Sequence, residues 1–310
     1  MNLVFCGTPE FAVPTLEELA HNFTVKLVVA QPDRPSGRGM EVIAPAVKRL
    51  AQRLEIPVAQ PERIKDNHEF RAQLRAIKPD VIVVVAYGRI IPQWMIDLAP
   101  LGNINLHASL LPKYRGAAPV QWAIANGESL TGVTSMRIDV GLDTGPMMLR
   151  REVEIDPNET SLTLAPRLAA TGAELMTETL AGLESGTITP QPQDDSQATL
   201  APLLKKQDGL IDFRRSAREI YNRFRAFQPW PGAYTSFRGK NVKAIAMQPA
   251  TGNAALSTGE ILFQNNQLLA GCGQGSVVEF LELQPESRKP VLAAEFARGT
   301  RIQSGERFGS

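Results

Sequence analysis

Apolar positions recur in two rhythms along the chain. In the first half, short continuous apolar runs alternate with stretches of helical period. Residues 3–6 read as a buried strand that breaks at Gly7-Thr8-Pro9 into a helix carrying Phe11, Leu16 and Leu19. Thr8 is the expected cap of that helix, with Pro9 at its first position. Residues 25–30 and 80–86 are apolar almost throughout, as expected of parallel strands covered on both faces. The second run is the most hydrophobic and belongs at the centre of the sheet. Helices are predicted over 45–54 and 66–76, with a short strand near Val58 between them. Residues 103–107 form another short strand, with Ile104 and Leu106 on one face and Asn105 and His107 on the other. Strands over 131–138 and 147–155 and a helix over 161–183 follow, and Pro166 should kink that helix or delay its regular start. This alternation predicts a doubly wound, mostly parallel Rossmann-like α/β sheet with right-handed crossovers.

The second half changes rhythm. Residues 187–199 are rich in Thr, Pro, Gln and Asp and look like a linker. A helix over 214–226 should point Ile220 and Phe224 inward and its arginines outward. Short alternating runs then recur at 233–237, 242–247, 259–263, 267–270 and 276–283, predicting a small antiparallel, OB-like β-barrel. A chain of 310 residues is long enough for two domains. The expected division is a first domain over 1–186, a linker over 187–206 and a second domain over 207–310.

Composition fits a globular protein, with 43% hydrophobic and 21% charged residues. The apolar start M-N-L-V-F-C-G-T-P lacks a basic leader and makes a poor signal peptide. No apolar run approaches membrane-spanning length. Two cysteines, Cys6 and Cys272, make neither a disulfide framework nor a metal set, which fits a reducing cytoplasm. Three scattered histidines add no metal site either, so no metal is expected. The net charge of +1 hides an uneven distribution. Residues 152–195 carry nine acids against Arg167 alone, whereas 205–243 carry ten bases against three acids, a local +7. Such an excess is the footprint of a polyanion-binding surface, although a solvated face can also carry it.

Candidate chemistry gathers at strand ends. The run N-I-N-L-H-A-S-L-L-P-K-Y-R-G-A-A-P over 103–119 puts an amide and an imidazole side by side. The loop 139–146 (D-V-G-L-D-T-G-P) carries Asp143, which is either a turn aspartate bonding its own backbone or a partner for His107. Ser109 lies two residues from His107, but no glycine elbow surrounds it, so a nucleophilic role is disfavoured. Residues 31–40 (Q-P-D-R-P-S-G-R-G-M) cannot build a core and are read as an exposed loop, longer than usual and a candidate functional segment.

Taken together, Gly7-Thr8-Pro9-x-Phe11, the 31–39 loop, Asn105-x-His107-x-Ser109-Leu110-Leu111-Pro112, Arg115-Gly116-Ala117-Ala118-Pro119, Asp139-x-Gly141-x-Asp143-x-Gly145 and Arg225-Ala226-Phe227-x-Pro229-Trp230-Pro231 resemble the methionyl-tRNA formyltransferase family. The resemblance runs in order along nearly the whole chain. It implies formyl transfer from 10-formyltetrahydrofolate to the α-amine of methionine on initiator methionyl-tRNA, in support of translation initiation. It makes Asn105, His107 and Asp143 the catalytic residues. Ser109, Leu110, Leu111 and Pro112 become the folate-pocket wall, and Ile90, in the 87–90 stretch, lines the pterin site. The inserted loop is implied to reach the acceptor stem, which makes Arg38 and Arg34 RNA contacts. Gly7 and Thr8 at the first turn join the substrate-side candidates, as does Phe11, a methionine contact for which core packing is the competing account. Leu111-Pro112 is a candidate cis bond, against ordinary base rates. The expected partners are initiator tRNA and folate, with neither a membrane nor an obligate protein partner, for a cytoplasmic monomer.

Other readings compete. A formyltransferase or hydrolase acting on a nucleotide sugar or on formyl-folate itself shares the Asn-His-Asp set, but the long 31–40 loop and the +7 segment favour RNA. A nicotinamide oxidoreductase fails because the first turn lacks G-x-G-x-x-G. Intact Asn105, His107 and Asp143 speak against a non-catalytic RNA-binding module.

Overall fold

The computed structural model describes residues 1–36, 41–251 and 255–309. The chain divides into two compact units. The first comprises Met1–Pro119, Leu130–Glu154 and Leu164–Pro202; the second comprises Val120–Ser129, Ile155–Thr163 and Leu203–Ser310.

The chain begins with β1 (Asn2–Gly7), α1 (Val13–Asn22), β2 (Thr24–Val29), β3 (Arg34–Ser36), β4 (Glu41–Ile43), α2 (Ala46–Arg53), β5 (Val58–Ala59) and α3 (His68–Ile77). It continues through β6 (Val81–Val85), α4 (Gln93–Ile96), β7 (Asn103–His107), α5 (Pro119–Ala125), β8 (Leu130–Arg137), β9 (Met147–Glu154) and α6 (Ser161–Glu184). Seven strands of the first unit form one sheet in the order β5-β2-β1-β6-β7-β8-β9. It is parallel up to β7, and β8 and β9 are antiparallel. β6 stands at the centre with all five residues buried, as its unbroken V-I-V-V-V requires. The chain runs outward from β1 to β2 and β5, then returns to pair β6 on the other side of β1. That reversal opens a crevice beyond the carboxyl ends of β1 and β6, where open α/β sheets hold their ligands.

Local chemistry departs from the sequence reading in three places. Thr8 does not cap α1: extended backbone at Pro9 delays the helix, and Val13 begins it after a short 3-10 turn over Glu10–Ala12. The Thr8 hydroxyl donates instead to the Tyr87 carbonyl at 3.1 Å. At the edges of the 31–40 stretch, Arg34–Ser36 is a short strand that pairs antiparallel with Glu41–Ile43. Arg38 itself, with Gly37, Gly39 and Met40, lies outside the described residues. Finally, α6 begins at Ser161 and runs through Pro166, so its start is not delayed. The proline removes one N–H in the second turn of the helix.

In the second unit, α7 (Ala217–Ala226) precedes β10 (Ala233–Phe237), β11 (Lys240–Pro249), β12 (Ile261–Gln264), β13 (Gln267–Gly271), β14 (Val277–Pro285), β15 (Val291–Leu292) and α8 (Ala293–Thr300). The sequence reading missed β15 and α8, which are short and lie beside a polar turn. The strands form an antiparallel sheet of order β10-β11-β14-β13-β12, with β15 added to β14. The C-terminal tail joins both edges: Ile261 N donates to Glu306 O and Phe308 N to Gly259 O beside β12, and Gly309 N to Ser236 O on β10, each at 2.9 Å. Phe308 lies buried between them against Phe213, Phe237 and Phe280.

Helix α7 has a full capping box between Ser216 and Glu219. Its arginines do not all point outward. Arg225 is buried and donates to the carbonyls of Asp156 and Glu159 and to the Asn222 side chain. The guanidinium carries enough donors to bond all three acceptors at once, which stabilises its inward position. Among the described residues, no helix is long and apolar enough to cross a membrane. None of them form a group of three or more His, Cys, Asp or Glu able to hold a metal ion.

Candidate active site

The carboxyl ends of β1, β6 and β7 lie side by side, and hydrogen bonds tie the turns that follow. Thr8 Oγ1, after β1, and Gln31 Nε2, after β2, both donate to the Tyr87 carbonyl after β6, the second at 2.9 Å. Gly7 is required at this junction, since a Cβ there would stand 2.7 Å from the Phe5 ring and 2.9 Å from Ala12. Its role here is packing. Phe11 sits half-buried in the short helical turn. Ile90, just past the Tyr87 turn, is 93% exposed, an apolar side chain with no packing role of its own. Arg34 is exposed on β3, and among the described residues it has no side-chain hydrogen bond to the strand ends.

Asn105 and His107 lie two residues apart on β7 and are held very differently. Asn105 is half-exposed, and among the described residues its carboxamide has no hydrogen-bond partner. His107 is buried. Its Nε2 lies 2.8 Å from the Tyr114 carbonyl, an acceptor only, so Nε2 carries a proton. Nδ1 faces Asp143 Oδ2 at 3.6 Å, a second acceptor. Both ring nitrogens therefore face oxygens.

Asp143 comes from the loop between β8 and β9. Its Oδ2 accepts from Gly116 N at 2.9 Å, so the Arg115-Gly116 motif and the loop meet at the carboxylate. Asp139 shapes the loop, with Oδ1 accepting from Gly141 N at 3.0 Å and from the Thr144 hydroxyl at 2.8 Å. Gly145 is obligatory, because a Cβ there would overlap the Arg137 carbonyl. Asp143 and Tyr114 both adopt left-handed backbone, at φ 53° and 62°. Such conformations persist where surrounding contacts over-determine them.

Ser109–Pro112 folds back against β8. The Ser109 hydroxyl donates to the Lys113 carbonyl at 2.6 Å, which closes a turn and leaves it unsuited to nucleophilic attack. Thr134 Oγ1 pins the stretch by donating to Ser109 O at 2.7 Å and accepting from Leu111 N at 3.2 Å. Leu111 and Pro112 are buried, Leu110 is half-buried, and Leu111-Pro112 is cis. The sequence reading missed Thr134, Thr199 and Gln193. The first two are single hydroxyls in ordinary strand or turn contexts, and Gln193 lies in a stretch whose composition resembles a connector. No local pattern marks any of them.

Comparisons with known proteins agree with this geometry. A formyl transferase family model matches residues 1–180, and a formyl transferase C-terminal domain model matches 203–301. The chain is 58% identical over 310 residues to methionyl-tRNA formyltransferase of Koribacter versatilis, covering all of this chain and 99% of that protein. It is also 58% identical over 311 residues to methionyl-tRNA formyltransferase of Acidobacterium capsulatum, with both chains fully covered. Among solved structures, an N-formyltransferase from Helicobacter canadensis in complex with folinic acid and dTDP-3-aminofucose superposes with a TM-score of 0.67 at 20% identity, over 91% of this chain and 98% of that one. HypX from Aquifex aeolicus in complex with tetrahydrofolic acid gives a TM-score of 0.61 at 18% identity, over 96% of this chain and 47% of that one. These structures share the fold, and the full-length relatives narrow it further: the chain belongs to the methionyl-tRNA formyltransferase family.

Proposed function

We propose that this protein transfers a formyl group from 10-formyltetrahydrofolate to the α-amino group of methionine on initiator methionyl-tRNA. The observation that carries the reading is the Asn105 carboxamide, left without a partner among the described residues at the end of β7 and two residues from buried His107, which faces half-buried Asp143. The neutral amine attacks the formyl carbon, and the carbonyl electrons move onto oxygen. Asn105 donates an N–H to that oxyanion, an interaction stronger in the transition state than in the ground state. The nitrogen of the tetrahedral intermediate must lose a proton as the bond from carbon to N10 breaks. His107 and Asp143 hold and pass that proton, through water, toward N10, so that tetrahydrofolate leaves neutral.

The folate sits along Ser109, Leu110, Leu111 and Pro112, with Ile90 offering its open apolar side chain to the pterin side. Phe11 and the Gly7-Thr8 turn face the methionyl end, and Arg34 and Arg38 of the 31–40 stretch take the acceptor stem. In the second unit, Lys205, Lys206, Arg218 and Lys240 are exposed and have no carboxylate partner among the described residues. They are the bases available to backbone phosphates, whereas Arg214 and Arg238 are paired with Asp212 and Glu306.

Incubation with methionyl-tRNA and 10-formyltetrahydrofolate should yield a formylmethionyl ester; its absence with competent substrates overturns the proposal. Arg38→Ala should cut formylation of tRNA sharply while folate affinity stays unchanged. Equal loss of folate affinity would remove Arg38 from the RNA side.

A further inference from the structure

Residues 191–201 read as a connector in the sequence, yet in the first unit they are strapped down along their length. Gln191 exchanges backbone hydrogen bonds with Met147 at 2.7 and 2.8 Å, Arg115 N donates to Thr199 O at 2.9 Å, and Ala201 N donates to Arg115 O at 2.7 Å. The Thr199 hydroxyl accepts from Tyr114 N at 2.8 Å, next to the carbonyl that receives His107. At the middle of the strap, Gln193 Nε2 donates to the carbonyls of both Asp143 and Gly145, each at 2.8 Å. Its Oε1 accepts from Arg115 Nε at 3.1 Å and Nη2 at 2.8 Å. Arg115 is 7% exposed, and Nη2 also reaches Asp195 Oδ1 at 2.7 Å.

We infer that Gln193, oriented by the buried Arg115 fork, is a positioning residue for Asp143. The inference rests on the role given to Asp143 under Proposed function. A primary amide is the one side-chain group with two donors on one atom and two acceptor sites on another. Here both donors are spent on carbonyls flanking the loop tip, and both acceptor sites meet the guanidinium. The left-handed backbone at Asp143 is thus clamped from the carbonyl side, while Gly116 N holds the carboxylate. Without the clamp, the loop is free to relax and draw Oδ2 away from His107. Glutamate cannot replace the glutamine, because it keeps the Arg115 contact but has no hydrogen for either carbonyl and repels both.

The test is a double-mutant cycle on the full-length enzyme, read as single-turnover kcat and as KM for each substrate. Displacing a catalytic group by about 1 Å can cost up to ~100-fold. Gln193→Glu and Gln193→Met should each lower kcat roughly 10- to 100-fold, with both KM values and folate affinity nearly unchanged. In an Asp143→Ala background, the same changes at Gln193 should alter kcat less than about twofold, because their effect passes through the missing carboxylate. Equal loss in both backgrounds, or full kcat in Gln193→Glu, overturns the inference while leaving the role of Asp143 standing. An Asp143→Ala enzyme with undiminished kcat overturns the role of Asp143 itself and this inference with it.

Discussion

Asn105 and His107 share one face of one short strand, and the protein treats them oppositely. Asn105 is half-exposed with its amide unspent. His107 is buried, with the Tyr114 carbonyl on one ring nitrogen and Asp143 opposite the other. The contrast separates two jobs. Under the proposed function, the group that binds what arrives is left open, and the group that stays placed through turnover is held by neighbours. The second unit repeats the division in its basic residues. Arg225 is used up on backbone carbonyls, whereas Lys205 and Lys206 stand exposed without a carboxylate partner.

Substitutions can break or sharpen this contrast. His107→Ala should be the most severe, lowering kcat by about 10²–10⁴. It should also lower the thermal midpoint, because the Tyr114 carbonyl loses a buried donor worth about 1–3 kcal/mol. Unchanged thermal stability would argue that His107 is not held as described. Arg225→Met should destabilise by a similar ~1–3 kcal/mol through the lost charge-assisted hydrogen bonds to Asp156 O, Glu159 O and Asn222, visible in denaturant unfolding. A variant as stable as wild type but defective with tRNA would instead make Arg225 an RNA contact. Thr199→Val removes the acceptor for Tyr114 N and should cost about 0.5–1.5 kcal/mol, detectable as a few-fold loss of kcat if it shifts the Tyr114 carbonyl. The smallest effect belongs to Lys206→Ala: stability and kcat hold, and the slope of log affinity for tRNA against log salt flattens by about 1. An unaltered slope would exclude that lysine from the phosphate path.

What could be read in advance followed from local rules. The apolar run of β6 and the alternation along β7 are consequences of neighbouring residues, so the fold class was visible without coordinates, whereas only the family resemblance singles out Asn105, His107 and Asp143 as a set. Contacts distant in sequence were not visible. Gln193 reaches Asp143 and Gly145 across about fifty residues, and nothing in the composition of its surroundings signals a fixed conformation. Arg225 was misjudged for the same reason, since an arginine on a helix reads as solvated until the carbonyls of residues 156 and 159 turn out to face it. Phe308 likewise finds its core only through contacts distant in sequence, against Phe213, Phe237 and Phe280.

The most direct test is the single-turnover rate of formyl transfer with Asn105→Leu, measured with saturating 10-formyltetrahydrofolate and methionyl-tRNA. Loss of one preorganised oxyanion donor should lower that rate by about 10²–10³. The thermal midpoint and the affinity for both substrates should stay at wild-type values, because the carboxamide has no partner among the described residues. A variant that transfers formyl at the wild-type rate, or one that loses stability in proportion to activity, would contradict the assignment of Asn105 as the open donor of the site.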